Sequence, residues 1–234
     1  MVGGIDSFPL LAVPMFVLAG ILMAHGKISE KLFDVFVYFL GNKRAGIPCA
    51  VIITCLFYGA ISGSAPATVA AVGSMTIPLL IELGYEKDFS TAIVAVAGGL
   101  GVIIPPSIPF IMYAMATGES VSDLFLAGIV PGMMISALLI FYAYYYCRRH
   151  GEDREKIQAK MGQLKAKGFF NILKESIWAL LSPVIVLGCI YTGVASPTEA
   201  AVISVFYSLF VSLFIYRSIK VKQIWGIMVE AMKT

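Results

Sequence analysis

Tyr58-Gly-Ala-Ile-Ser-Gly-Ser-Ala-Pro-Ala-Thr68 decides the fold of this chain. The stretch lies midway along a run free of charged residues, from Ala45 to Ile81. In hydrocarbon every open backbone N–H or C=O costs several kcal/mol unless protein or a ligand meets it. Glycine, serine and proline at the centre of such a run break a helix where breaks are least tolerated. They are tolerated where the break lines a cavity or coordinates an ion. A second break follows at Gly98-Gly-Leu-Gly-Val-Ile-Ile-Pro-Pro-Ser-Ile-Pro109. Two interrupted segments in one short chain point to a transport site.

Composition agrees. Hydrophobic residues make up 59% of the chain and charged ones 13%, against about 25% charged in soluble domains. This predicts an all-α, polytopic membrane protein. The net charge of +3 sits in short loops between apolar segments, which is topology information and points to no nucleic-acid partner. Cys49, Cys55, Cys147 and Cys189 have no metal or redox spacing and read as buried thiols. His25 and His150 stand at segment ends beside charges and read as interfacial residues. Met1–Ser7 lacks a basic n-region, so no cleavable signal peptide is predicted.

The predicted organisation has five parts. Residues 1–44 hold a first span, about Ser7 to Ala24, with Ser7 as N-cap and Pro9 in its first turn. An amphipathic helix follows, read either as interfacial or as an ordinary solvent-side helix. Residues 45–119 hold a re-entrant hairpin (45–85, arms near 46–61 and 66–83) and a discontinuous helix (88–118). Two full spans would need about 40 apolar residues plus a turn, so a re-entrant hairpin fits residues 45–83 better. A span over 120–147 opens on Ser120-Val-Ser-Asp123, with capping-box spacing. Residues 148–175 form a basic linker, cytoplasmic by the positive-inside rule. Residues 176–234 carry two more spans, about 176–192 and 198–216. Glu199 between them reads as the N3 partner of Ser196 rather than a functional carboxylate.

At Ser62–Pro66 one arm ends and another begins, so free carbonyls and N–H groups converge. Ser64 is positioned to cap the second arm. At Gly101–Pro106 prolines remove amide donors and leave carbonyls without helical partners. Carbonyls and hydroxyls with no buried carboxylate suit a monovalent hard cation. The N-terminal ends of the resumed helices suit a carboxylate anion. Gly59, Gly63 and Ala67 also fit a helix-packing stripe, which explains the small residues but not Ser-Gly-Ser before Pro66.

These residues resemble the large membrane (permease) subunit of tripartite ATP-independent periplasmic (TRAP) transporters. The matching pieces are Asp6–Gly20, Gly59–Gly73, Ile104–Pro109, Leu124–Gly132 and Ser196–Ala201, in family order over nearly the whole chain. Some members carry an acidic residue near Thr68, where this chain reads Pro66-Ala-Thr68. The resemblance implies an elevator-type, sodium-coupled importer of organic acids such as a C4-dicarboxylate or a sialic acid, in the bacterial inner membrane. It implies two partners, a periplasmic substrate-binding protein and a small membrane subunit. It places Na+ ligands on Ser62, Ser64, Gly101, Ile104 and Pro106, mostly through backbone carbonyls. Ser64, Thr68 and Ser107 fall on the side facing the organic acid anion. Family members have two inverted halves, so the resemblance also implies spans before Met1 and the rest of a second half after Thr234. The sequence is thus expected to be a fragment.

Two other classes compete. An intramembrane enzyme would need a nucleophile with a base, or metal ligands, at membrane depth. The breaks contain no His, Asp, Glu or Lys. A truncated, non-transporting scaffold has the same sequence signature as the transporter.

Overall fold

A segment in hydrocarbon closes its backbone hydrogen bonds within itself, and the computed structural model, which describes residues 8–166 and 168–233, does so with helices throughout. A 3-10 turn at Phe8–Leu11 leads into α1 (Ala12–His25), then α2 (Ile28–Leu40), α3 (Gly46–Ser62) and α4 (Ala65–Glu82). Next come α5 (Lys87–Gly98), a 3-10 turn at Gly99–Val102, α6 (Ile108–Thr117) and the long α7 (Val121–His150). The chain ends with α8 (Arg154–Ala166), α9 (Phe169–Tyr191), α10 (Pro197–Phe210), a π turn at Val211–Ile215, and α11 (Val221–Lys233). The readings of Met1–Ser7, including the Ser7 cap, lie outside the described residues.

Among the described residues four helical stretches are long and apolar enough to cross a membrane: α4, α7, α9, and α10 with its π turn. The count becomes five if α1 and α2, bent by 65° at their junction, form one span. The all-α polytopic expectation therefore holds. Ser196 caps α10 as anticipated: its hydroxyl accepts from the Glu199 N–H, and Glu199 accepts from the Ser196 N–H at 2.8 Å. Ser120 completes only half of such a box, accepting from the Asp123 N–H at 3.4 Å.

One expectation needs correction. The 148–175 segment is no plain linker, because α8 occupies its centre and α9 begins at Phe169 rather than near 176. Ile157, Met161 and Leu164 recur at helical spacing and are buried; dense charge around them hid the pattern. Of the two readings of the amphipathic helix, α2 fits the solvent-side one, with its apolar face buried in protein. Ile28, Leu32, Phe33 and Val35 are covered, with α3 and α9 packed against the helix.

The hairpin α3–α4 is closed at its base by one side chain. Ala45, in a left-handed turn before α3 (φ 57°), donates its N–H to Glu152 Oε1 at 3.0 Å. Tyr85, just after α4, donates its hydroxyl to the same oxygen at 2.7 Å. Burial first, and then the Glu152 carboxylate, push the Tyr85 hydroxyl above the usual tyrosine range, so it remains a donor. Both arms therefore start and finish on one side. With 17 and 18 residues they are each about 25 Å long, against a hydrocarbon core of about 30 Å. The tip, at Gly63-Ser64, lies at the far end from that clasp.

Candidate functional site

The tip begins with Gly63, whose left-handed φ of +61° ends α3, a conformation glycine adopts without Cβ strain. A Cβ there would also lie 2.8 Å from the Pro106 carbonyl oxygen. Ser64 is extended and α4 starts behind it, with Pro66 in the first turn. The Ser64 hydroxyl makes no capping hydrogen bond, which corrects the cap expected there. Thr68, one turn into α4, donates from Oγ1 to the Ser64 carbonyl at 2.8 Å. Thr68 Oγ1 also lies 3.0 Å from Ser62 Oγ, and both side chains are buried. Ser62, Ser64 and Thr68 thus form one hydroxyl-carbonyl cluster inside the tip.

The second break is pressed against this cluster. A Cβ on Gly59 would lie 2.5 Å from the Gly101 Cα, and one on Gly101 would lie 2.7 Å from Thr68 Oγ1 and 3.1 Å from the Ser64 carbonyl oxygen. Only two glycines allow this backbone contact. Gly59, read in the sequence as part of a packing stripe, is therefore where α3 crosses the second break. The two breaks are also joined by the Ile108 N–H, which donates to the Gly63 carbonyl at 3.3 Å. The tip and the broken helix form one unit.

The rest of the second break is less open than its prolines suggest. Leu100 accepts from both the Ile103 and Ile104 amides, at 3.1 and 2.8 Å. The Val102 carbonyl accepts from the Ser107 hydroxyl at 2.7 Å. Ser107 Oγ accepts in turn from the Phe110 N–H at 3.3 Å, capping α6. Ser107 is buried and its hydroxyl is committed to the backbone. Pro105–Pro106 is a cis peptide. Ile104 is buried, with its side chain set against Gly132 of α7, so only its backbone is available to a ligand. Ser62, Ser64, Thr68 and Gly101 are brought together, Pro106 lies at the tip glycine, and Ile104 and Ser107 serve mainly to hold the break.

Tyr58 completes the site and was not singled out in the sequence. It is fully buried and donates to the Gly20 carbonyl at 2.7 Å, tying α3 to α1 one turn before the tip. Gly20 lies against Ser62, where a Cβ would come within 2.9 Å of the Ser62 Cβ. A tyrosine in an apolar run carries no signal of such a bond. The described residues contain no cluster of three or more His, Cys, Asp or Glu side chains able to hold a metal. The oxygens at the breaks are carbonyls and hydroxyls, suited to a weakly held monovalent cation. Three helix termini meet there, the end of α3 and the starts of α4 and α6. Their dipoles add carbonyl and amide fields of opposite sign.

Compared with known proteins, residues 1–234 match the family described as tripartite ATP-independent periplasmic transporter, DctM component. The isethionate TRAP transporter permease protein of Oleidesulfovibrio alaskensis is 44% identical over 98% of this chain and 35% of its own length. The C4-dicarboxylate TRAP transporter large permease protein of Pseudomonas aeruginosa is 39% identical over 97% of this chain and 52% of its own length. The sialic acid TRAP transporter permease protein of Haemophilus influenzae is 35% identical over 99% of this chain and 37% of its own length. The chain spans about half the length, or less, of these curated relatives.

Proposed function

The chain belongs to the DctM-component family of tripartite ATP-independent periplasmic transporters, and from that premise we propose that its two breaks form a sodium site coupled to import of an organic acid. The observation that carries this reading is the contact of the Ser62–Ser64–Thr68 cluster with the backbone of Gly101. Na+ sits among the Ser62 and Ser64 oxygens and the carbonyls of Gly101, Ile104 and Pro106. The substrate carboxylate lies at the N-terminal ends of α4 and α6, near Ser64 and Thr68, where helix dipoles favour an anion. Ion and substrate then share one backbone frame, so occupation of one stiffens the site for the other.

In this reading the hairpin is re-entrant, and it moves with the broken helix as the carrying element of an elevator. The protein sits in the inner membrane beside a small membrane subunit and takes its cargo from a periplasmic binding protein. Relatives named for isethionate, C4-dicarboxylates and sialic acid all handle acids, which supports an anionic cargo of that class.

The test is uptake by proteoliposomes holding the permease with its small subunit and binding protein, under a sodium or a potassium gradient. Sodium-driven uptake lost in Ser62→Ala and in Gly101→Val supports the proposal. Uptake independent of sodium, or unchanged in both variants, contradicts it.

A further inference from the structure

Far from the two breaks, on the basic side of the molecule, the end of α2 and the length of α8 enclose a cleft of about 460 Å³. Its lining includes Lys43, Glu152, Arg154, Gln158, Met161 and Lys165. Arg154, Gln158, Met161 and Lys165 recur every three or four residues, so one face of α8 supplies most of the wall. Met161 fits against Gly41 and, with Ile157, gives the cleft an apolar floor. A Cβ on Gly162 would meet nothing within 4 Å, which leaves the middle of the cleft open.

The cleft carries a net positive charge. Lys43, Arg154 and Lys165 are exposed, and among the described residues their side chains make no ion pair or hydrogen bond. The carboxylate in the lining, Glu152, is already engaged by the Ala45 N–H and the Tyr85 hydroxyl. Neighbouring Asp153 is paired with Lys156 at 3.1 Å. Three free cations therefore face one committed anion. An Arg fork flanked by Lys point charges suits the oxygens of a phosphate.

The residues beside the cleft indicate where that phosphate comes from. Phe39, one turn before Lys43, is 56% exposed and meets Tyr38 edge-on. Tyr38 is half-buried, and a tyrosine close to basic residues marks the headgroup level of a bilayer. The basic loop belongs to the cytoplasmic side by the same rule. We propose that this cleft holds the phosphate of an anionic phospholipid headgroup at the cytoplasmic surface of the membrane, its apolar floor facing the upper acyl chain. Basic pockets between helices on this side take such headgroups by charge and shape together.

The test is native mass spectrometry of the purified chain in detergent. It is offered equimolar phosphatidylglycerol and phosphatidylcholine, and in a separate arm inorganic phosphate. One phosphatidylglycerol is expected to be retained in preference, with affinity falling about fivefold for each of Lys43→Gln and Arg154→Gln. R148Q/R149Q removes two cations outside the cleft and leaves retention unchanged. Gly162→Leu fills the cleft at constant charge and expels the lipid. Circular dichroism and size-exclusion profiles matching wild type establish that each variant is folded. Equal retention of the two lipids, or equal loss in R148Q/R149Q and Arg154→Gln, overturns the proposal. So does tight binding of inorganic phosphate with no retention of phosphatidylglycerol.

Discussion

A methyl group at Gly101 would press on the Thr68 hydroxyl and the Ser64 carbonyl, at 2.7 and 3.1 Å. Overpacking of this kind costs about 1–3 kcal/mol, because neither partner is the flexible end of a long side chain. Gly101→Ala is therefore expected to lower the unfolding temperature in detergent and to abolish sodium-specific binding. Gly99→Ala is the matched control, since a Cβ there meets nothing within 4 Å; it should behave as wild type in both assays. Thr68→Val keeps the shape of the side chain but removes the hydroxyl that serves the Ser64 carbonyl and Ser62. The Ser64 carbonyl keeps the backbone N–H of residue 68, so losing the hydroxyl bonds costs about 0.5–1.5 kcal/mol. A thermal shift of Thr68→Val no different from wild type would show that the cluster does not hold the tip. The breaks that hold Ser62, Ser64 and Gly101 were legible, because Gly, Ser and Pro at mid-run have few uses in hydrocarbon, whereas Thr68 entered only through the family resemblance. The partner of Tyr58 and the occupied hydroxyl of Ser107 were not legible. Both depend on which carbonyl stands opposite, a fact of tertiary packing.

At the scale of elements, the hairpin depends on Glu152. Its Oε1 receives the donor that opens α3 and the hydroxyl that follows α4. Glu152→Ala leaves both donors without an acceptor and is expected to destabilise the chain by about 2–6 kcal/mol, summed over two unsatisfied groups. Glu152→Gln retains a side-chain oxygen and should recover most of that loss. Comparable thermal stability of the two variants and wild type would remove the clasp from the account. Ser196→Ala removes one half of the α10 box and should cost about 1 kcal/mol, measured in the same way. That cap was legible, because the Ser-Pro-Thr-Glu spacing is local. The Glu152 clasp was not, because its partners Ala45 and Tyr85 are distant in sequence and nothing local pairs them. Helix α8 was missed for a different reason: three buried apolar residues per helix face are a weak signal among so many charges.

At the scale of the whole molecule, the arms are the main question of topology. Their lengths, 17 and 18 residues, lie at the lower edge of what spans a bilayer. A re-entrant hairpin keeps its tip within the membrane. In a cysteine-free background, Ser64→Cys is then expected to react with a membrane-impermeant maleimide from the periplasmic side far more slowly than Gly118→Cys. Equal rates would make α3 and α4 two full spans. If the tip and the broken helix together bind sodium, isothermal calorimetry of the folded, purified chain detects it. Sodium titrated against a potassium control should give saturable heat in wild type and in Gly99→Ala, and none in Ser62→Ala or Gly101→Ala. The same heat with either cation, or sodium-specific heat that survives in both site variants, would contradict it.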